Sequence, residues 1–369
     1  MDYYNRLKIL LFCFLGIFCV ASALFSATDL FPLHASRLTL NESIQRALKN
    51  SAEILDAQVA LEKSHAELVQ YQNMMPSPES SHVQEQTASG SAFEYVDLPY
   101  PVAGGTDQKE LDMSDYRTHL NTYTNIKREC TDITNDVKHT ITKEYYIQSK
   151  LQTLISLRQK FLKRLYSFYE SMQTLFDKGL LAKVDLLKVE ITLQKAELQL
   201  IALQSEYKQH TILFNTMIGQ TTPTEVSVEP LSAITFSKES FQAWLIDGLN
   251  NKGLFSPADE AIDSHTHDSY LSREETVRFR KFYTRIAYIS SQIEIIEDII
   301  GKATDVFAFQ EIRFKNSLAS SDEVLEALGT LSEVQEKRIV LLHDYHDTVT
   351  DAKHAFCEIH RKIIIAQKK

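Results

Sequence analysis

The chain has 369 residues, a formal net charge of −10 and 24% charged residues. This acidic balance argues against a nucleic-acid binder, which would carry a basic patch or stripe. The length admits two ordinary domains or one elongated unit.

The N-terminus, MDYYNRLK followed by ILLFCFLGIFCVASALF, reads as a secretory signal peptide over 1–23, with Ala21-Ser22-Ala23 as the cleavage pattern. Its removal leaves a chain near −11 that keeps Cys130 and Cys357 but loses Cys13 and Cys19. The alternative is an uncleaved signal anchor, for which 17 apolar residues are short. Gly16-Ile17-Phe18 before Cys19 offers no lipoprotein box. No other apolar stretch is long enough to cross a bilayer as a helix. Residues 24–37 read as a linker.

From residue 38 the sequence turns helical, and a first repeat is expected over 38–230. Within it, residues 75–115 are rich in Ser, Pro, Gly and Thr and read as loop. Phe93 and Tyr95 alternate with Glu94 and Val96 there, compatible with one short strand. A long hairpin is expected over 117–219, with its tip near 177–183. No proline lies in 102–222, and Gly179 is the only glycine between 106 and 218. Nothing there removes a backbone donor or clashes with the preceding turn. The row Leu186, Val189, Leu193, Ala196, Leu200, Leu203, Tyr207 steps by 3 and 4, the spacing of a coiled-coil seam. Leu187, Ile191, Leu198 and Ile201 flank it, so the helix has more than one apolar face.

A shortened second repeat is expected over 231–369, with a hairpin at 273–366 and a tip near 315–321. At a constant offset of 138, Tyr145 falls on Tyr283, Leu151 on Ile289, Phe176 on Phe314, Leu180 on Leu318, Leu187 on Leu325 and Tyr207 on Tyr345. Because 138 is not a multiple of seven, chance heptad matching explains this poorly, and duplication of a hairpin explains it well. Ser43-Ile44-Gln45 matches Ser240-Phe241-Gln242 more weakly at offset 197.

Three segments carry a resemblance to a known family. They are LTLNESIQRALKNSAEILDAQVALEKSHAEL (38–68), GLLAKVDLLKVEITLQKAELQLIALQSEYKQHTILFNTMIG (179–219) and the degenerate SLASSDEVLEALGTLSEV of the second hairpin. In this order, after a signal peptide, they resemble the outer-membrane efflux proteins, the TolC-like exit ducts. The resemblance implies a mainly α fold of long antiparallel coiled-coil hairpins in two repeats. It implies a homotrimer closing a periplasmic cylinder beneath a shared outer-membrane barrel. It also implies an adaptor protein and an inner-membrane pump as partners, with no nucleic acid. This chain departs from the family in its strands, since a spanning barrel needs strands of ~9–11 residues. The barrel therefore reads as degenerate or little developed.

At the first tip, Gly179, Leu180, Asp185 and Leu187 match the family pattern, where helical tips meet the adaptor and narrow the channel. Lys183-Val184 departs from it. At the second tip, Leu318, Ser320, Asp322, Glu323 and Leu325 are the counterparts, with Ser317 in place of the glycine. Ser320 and Glu323 fit a capping box, and Asp322 with Glu323 would form a negative ring under threefold symmetry. A helix cap explains either tip without any gate.

His343, His346 and Asp347 have i, i+3, i+4 spacing, but a polar helix face explains them better than a metal site. A polar loop explains His265 and His267 equally well. Cys130 lies about 74 Å from the first tip and Cys357 about 58 Å from the second by helical rise, too far apart for a disulfide if the tips are level. No GxxxxGK, GxSxG or HExxH is present, so no enzyme activity, metal or cofactor is expected. The function expected is a passive efflux or secretion duct exported to the outer membrane. Two alternatives remain: an exported coiled-coil interaction protein derived from that family without a pore, and a signal-anchored helical bundle.

Overall fold

The computed structural model describes residues 37–74, 107–220, 226–232, 240–250 and 271–367. The segment read as a signal peptide, the strand candidate at 93–96, and His265 and His267 lie outside these. The described chain is built from seven helices: α1 Leu40–Asn50, α2 Ala52–Met74, α3 Asp107–Asp177, α4 Lys183–Met217, α5 Phe241–Asn250, α6 Arg273–Lys315 and α7 Ser321–Gln367. Among the described residues no helix is long and apolar enough to cross a membrane.

Local chemistry sets the helix ends. Thr39 and Glu42 form a capping box at α1, in which the Glu42 N–H donates to Thr39 Oγ1 and the Thr39 N–H donates to Glu42 Oε2. Ser272 and Glu275 do the same for α6. α3 is 71 residues long, about 107 Å. It begins at Asp107, inside the segment read as loop, because no proline or glycine lies between Gly105 and Gly179 and the first turns are acidic. Its many threonines fit the helix by donating to the carbonyl four residues back, as Thr118, Thr124, Thr134 and Thr142 do.

The long helices pair as two hairpins, α3–α4 and α6–α7, joined along α3 and α7. α1 and α2 pack on α3, and α5 packs on α6 and α7. The offset of 138 recurs in the helix limits. Asp177 and Lys315 end the descending rods, and Lys183 and Ser321 begin the returning ones. It recurs in the core as well. One cluster holds Ile141, Phe214 and Ile218. Their counterparts Phe279, Ala352 and Phe356 lie together in another. Phe279 and Phe356 stack there, with ring centroids 4.4 Å apart. The second descending rod is the shorter one. At the same offset Asp107 corresponds to Leu245, whereas α6 begins at Arg273, 28 residues later or about 42 Å down the rod.

A belt crosses the first hairpin. Leu38 and Val228 form a parallel bridge, with the Leu38 N–H donating to Ser227 O at 2.9 Å. Tyr145, Ser149 and Gln152, at i, i+4 and i+7 on α3, pin this belt. The Tyr145 hydroxyl donates to Leu38 O and accepts from the Glu229 N–H, both at 3.1 Å. Ser149 Oγ donates to Glu229 O at 2.8 Å, and Gln152 Nε2 donates to Val226 O at 2.7 Å. Tyr207 of α4 also donates to Val226 O, at 2.8 Å. Burial pushes the Tyr145 phenol up to about 12, so it stays a neutral donor.

Candidate functional site: the paired hairpin tips

Each descending rod ends in the same backbone turn. At the first tip the Leu180 N–H donates to Leu175 O (2.9 Å) and the Gly179 N–H donates to Phe176 O (2.8 Å). At the second, the Leu318 N–H donates to Arg313 O (2.8 Å) and the Ser317 N–H donates to Phe314 O (2.9 Å). These are the 6→1 and 5→2 bonds of the Schellman motif. The motif needs a left-handed residue, found at Gly179 (φ 69°) and at Ser317 (φ 57°). Glycine adopts that conformation freely, whereas a serine there carries a Cβ penalty.

The returning helices start differently. Ala182, at the N-cap of α4, has no side-chain cap bond. Ser320, its counterpart, forms a full box: the Glu323 N–H donates to Ser320 Oγ (3.3 Å) and the Ser320 N–H donates to Glu323 Oε2 (2.7 Å). These backbone and hydroxyl hydrogen bonds hold the Glu323 carboxyl below its usual range, with Arg313 adding a smaller pull. Each tip therefore keeps one half of an ideal turn: glycine without a cap at the first, a cap without glycine at the second.

The two tips pack on each other. Met172 and Val189 are fully buried, with Phe168, Phe176, Phe314 and Leu325 around them. Phe168 and Phe314 meet edge-on at 5.1 Å. Lys188 of α4 bridges two of the sequence-selected carboxylates: Asp322 Oδ2 of α7 at 2.6 Å and Asp185 Oδ1 at 3.7 Å. The hydrogen bond to Asp322 is the main cause that raises the Lys188 ammonium. Arg313 donates to Leu318 O at 2.8 Å and stands 3.7 Å from Glu323. Asp322 and Glu323 are thus each opposed by a cation of the same chain. Lys178, Lys183 and Lys315 add further positive charge to these turns. A simple negative ring does not describe this surface.

Leu180 and Leu318 stand out from the tips at 71% and 66% exposure. Leu187 and Leu325, equivalent by sequence, differ. Leu187 is exposed on α4, whereas Leu325 is partly buried in the shared core. Lys188 and Arg313 were not singled out from the sequence. The Asp185–Lys188 spacing was a local signal, but the bridge to Asp322 exists only because the tips are packed together.

The other polar candidates are used separately. His343 Nδ1 lies 3.5 Å from Asp344 Oδ1, His346 Nε2 lies 3.3 Å from Ser232 O, and Asp347 pairs with Lys143 at 3.1 Å. Among the described residues no cluster of three metal-ligating groups is found. Cys130 and Cys357 are both free.

Two duplicated hairpins of long rods, joined side by side, are the helical architecture shared with TolC-like outer-membrane channels. Solved structures of such channels match it over most of their length. The outer membrane protein VceC from Vibrio cholerae aligns with a TM-score of 0.56 and 13% identity, covering 86% of this chain and 95% of that one. The outer-membrane channel OprN aligns with a TM-score of 0.58 and 11% identity, covering 86% and 89%. The Campylobacter jejuni CmeC outer membrane channel gives a TM-score of 0.54 and 13% identity, covering 89% of both. Likeness at such identity establishes the fold. No protein-family model and no curated protein sequence matches the chain.

Proposed function

We propose that this protein is one subunit of a homotrimeric duct for efflux or secretion across the envelope, exported to the outer membrane. In this reading the duct is a passive exit that works with an inner-membrane pump and a periplasmic adaptor. Its paired tips meet the adaptor and narrow the lumen, and no residue performs covalent chemistry.

The observation that carries the reading is where apolar surface is left uncovered. α3 and α7 lie inside the sheet of rods. Among the described residues α3 exposes no large apolar side chain, and α7 only Val340 at the margin. The edge helices differ. α4 exposes Leu187, Ile191, Leu198, Ile201 and Ile212, and α6 exposes Tyr288, Ile295, Ile299, Val306 and Phe309. Their heights correspond. Ile191 and Val306 lie about 12–14 Å from the tip ends of their helices, and Leu198 and Ile299 about 22–24 Å. Two different faces of one chain at matched heights form a head-to-tail interface, which closes into a ring when the rotation permits.

Membrane fractionation tests the reading. The protein is expected with the outer membrane, resistant to urea extraction, and trimeric before heating. Recovery as a soluble monomer or dimer after signal cleavage would overturn the duct and favour the interaction protein without a pore. An intact N-terminus in the membrane fraction would instead point to the anchored bundle.

A further inference from the structure

The described histidine side chains gather around α3. His119 and His139 lie on it. His65 stacks near Tyr123, His210 lies 3.0 Å from Glu144, and His346 packs on Tyr146. Most of these have one polar neighbour or none. The arrangement at the α3–α7 seam is different. His139 Nε2 of α3 lies 2.9 Å from Asp351 Oδ1 of α7, and His354 Nε2 of α7 lies 2.8 Å from Asp136 Oδ1 of α3. The pairs cross, and the two rings face each other with centroids 4.4 Å apart.

The two rings are not equivalent. Asp351, which accepts from His139, also accepts from Lys143 at 3.0 Å. Burial raises its carboxyl, but these two hydrogen bonds outweigh that and bring it down. His354 has a carboxylate at each nitrogen: Asp136 at Nε2, and Glu358 Oε1 3.8 Å from Nδ1. A neutral imidazole has only one N–H, so it can donate to one of them while its lone pair faces the other. Only the imidazolium presents an N–H to both, as a hydrogen bond to Asp136 and as a charge contact to Glu358. Glu358 is held in turn by Arg278 of α6 at 2.8 Å.

We propose that His354 is a proton-operated clasp between the two hairpins. One proton turns the row Asp136–His354–Glu358–Arg278 into an alternating line of charge that runs from α3 through α7 to α6. Charged groups from three helices stand around it. α3 contributes Asp136, Lys138 and Lys143, α7 contributes Asp347, Asp351 and Glu358, and α6 contributes Arg278. The Cys357 thiol, raised by burial to about 11, stays neutral. On α5, which also packs on α7, Trp244, Leu245 and Leu249 make the contact and are apolar. Burial lowers the imidazoles of His343 and His346, so they resist charging in the folded chain. The clasp concerns the join of the hairpins and stands whether or not the chain forms a duct.

Amide exchange of peptides covering 132–146 and 347–359 tests this in the full-length protein at pH 6 and pH 8, after correction for intrinsic amide chemistry. Imidazole changes charge between these values. The ratio of protection at pH 6 to that at pH 8 is expected to be roughly threefold or more higher in wild type than in His354→Gln, which keeps one donor but cannot take a proton. Equal ratios in the two proteins would overturn the proposal. Glu358→Gln, a change at a half-exposed side chain, carries the same comparison if His354→Gln does not fold.

Discussion

At the scale of single residues, the two tips carry complementary faults. Ser317 adopts under strain the left-handed conformation that Gly179 takes freely, and α4 begins at Ala182 without the cap that Ser320 gives α7. A left-handed residue with a Cβ costs about 1–2 kcal/mol, and a missing N-cap hydroxyl about 1 kcal/mol. Ser317→Gly and Ala182→Ser should therefore each stabilise their tip by about 1 kcal/mol, and Gly179→Ala should destabilise the first tip by a similar amount. Nothing lies within 4 Å of a Cβ built on Gly179, so that loss would be conformational and not a clash. Local amide exchange of residues 174–186 and 312–324 reads each change. Equal exchange in all three variants would show that the turns do not limit tip opening. Much of this was legible in sequence, because a cap and its turn involve residues within six positions. The pairing of Lys188 with Asp322 was not, since the partners lie 134 positions apart.

At the scale of elements, the proline-free blocks marked the rods and the offset of 138 their paired tip ends, whereas the first rod starts at Asp107, inside a segment read as loop. The offset could not say what each copy faces. Leu187 and Leu325 occupy equivalent positions, yet α4 is an edge and α7 an interior rod. The belt was equally hidden, being made of side chains that bond distant backbone. Tyr145 is its centre, linking Leu38 O and the Glu229 N–H through one hydroxyl. Tyr145→Phe keeps the ring in its core and removes both bonds, leaving the buried Leu38 carbonyl without the phenol. A loss of about 1–3 kcal/mol in chemical unfolding is expected. Exchange should rise first in 38–48 and 226–232. A change below about 0.5 kcal/mol would mean that the apolar cluster alone holds the belt.

At the scale of the whole molecule, the question is what covers the apolar edges of α4 and α6. Within one chain α4 and α6 share only the apolar clusters near the tips, and α3 and α7 make the rest of the join between the hairpins. A second copy can cover the exposed edges, with α4 of one subunit running antiparallel to α6 of the next at equal height above the tips. Ile191→Cys with Val306→Cys, in a chain whose Cys130 and Cys357 are replaced by serine, tests this register. Mild oxidation should give covalent species ending at three chains on a non-reducing gel, as a closed threefold ring requires. Moving one partner up the rod, as in Ile191→Cys with Tyr288→Cys, places the sulfurs about 28 Å apart in height and should abolish the ladder. Equal yields from both pairs would mean the chains touch without a fixed register. A ladder stopping at two would mean a self-complementary pair, which buries one face against its own copy and leaves the other edge uncovered. The matched pair ending at three fits a threefold wall whose edges all find partners.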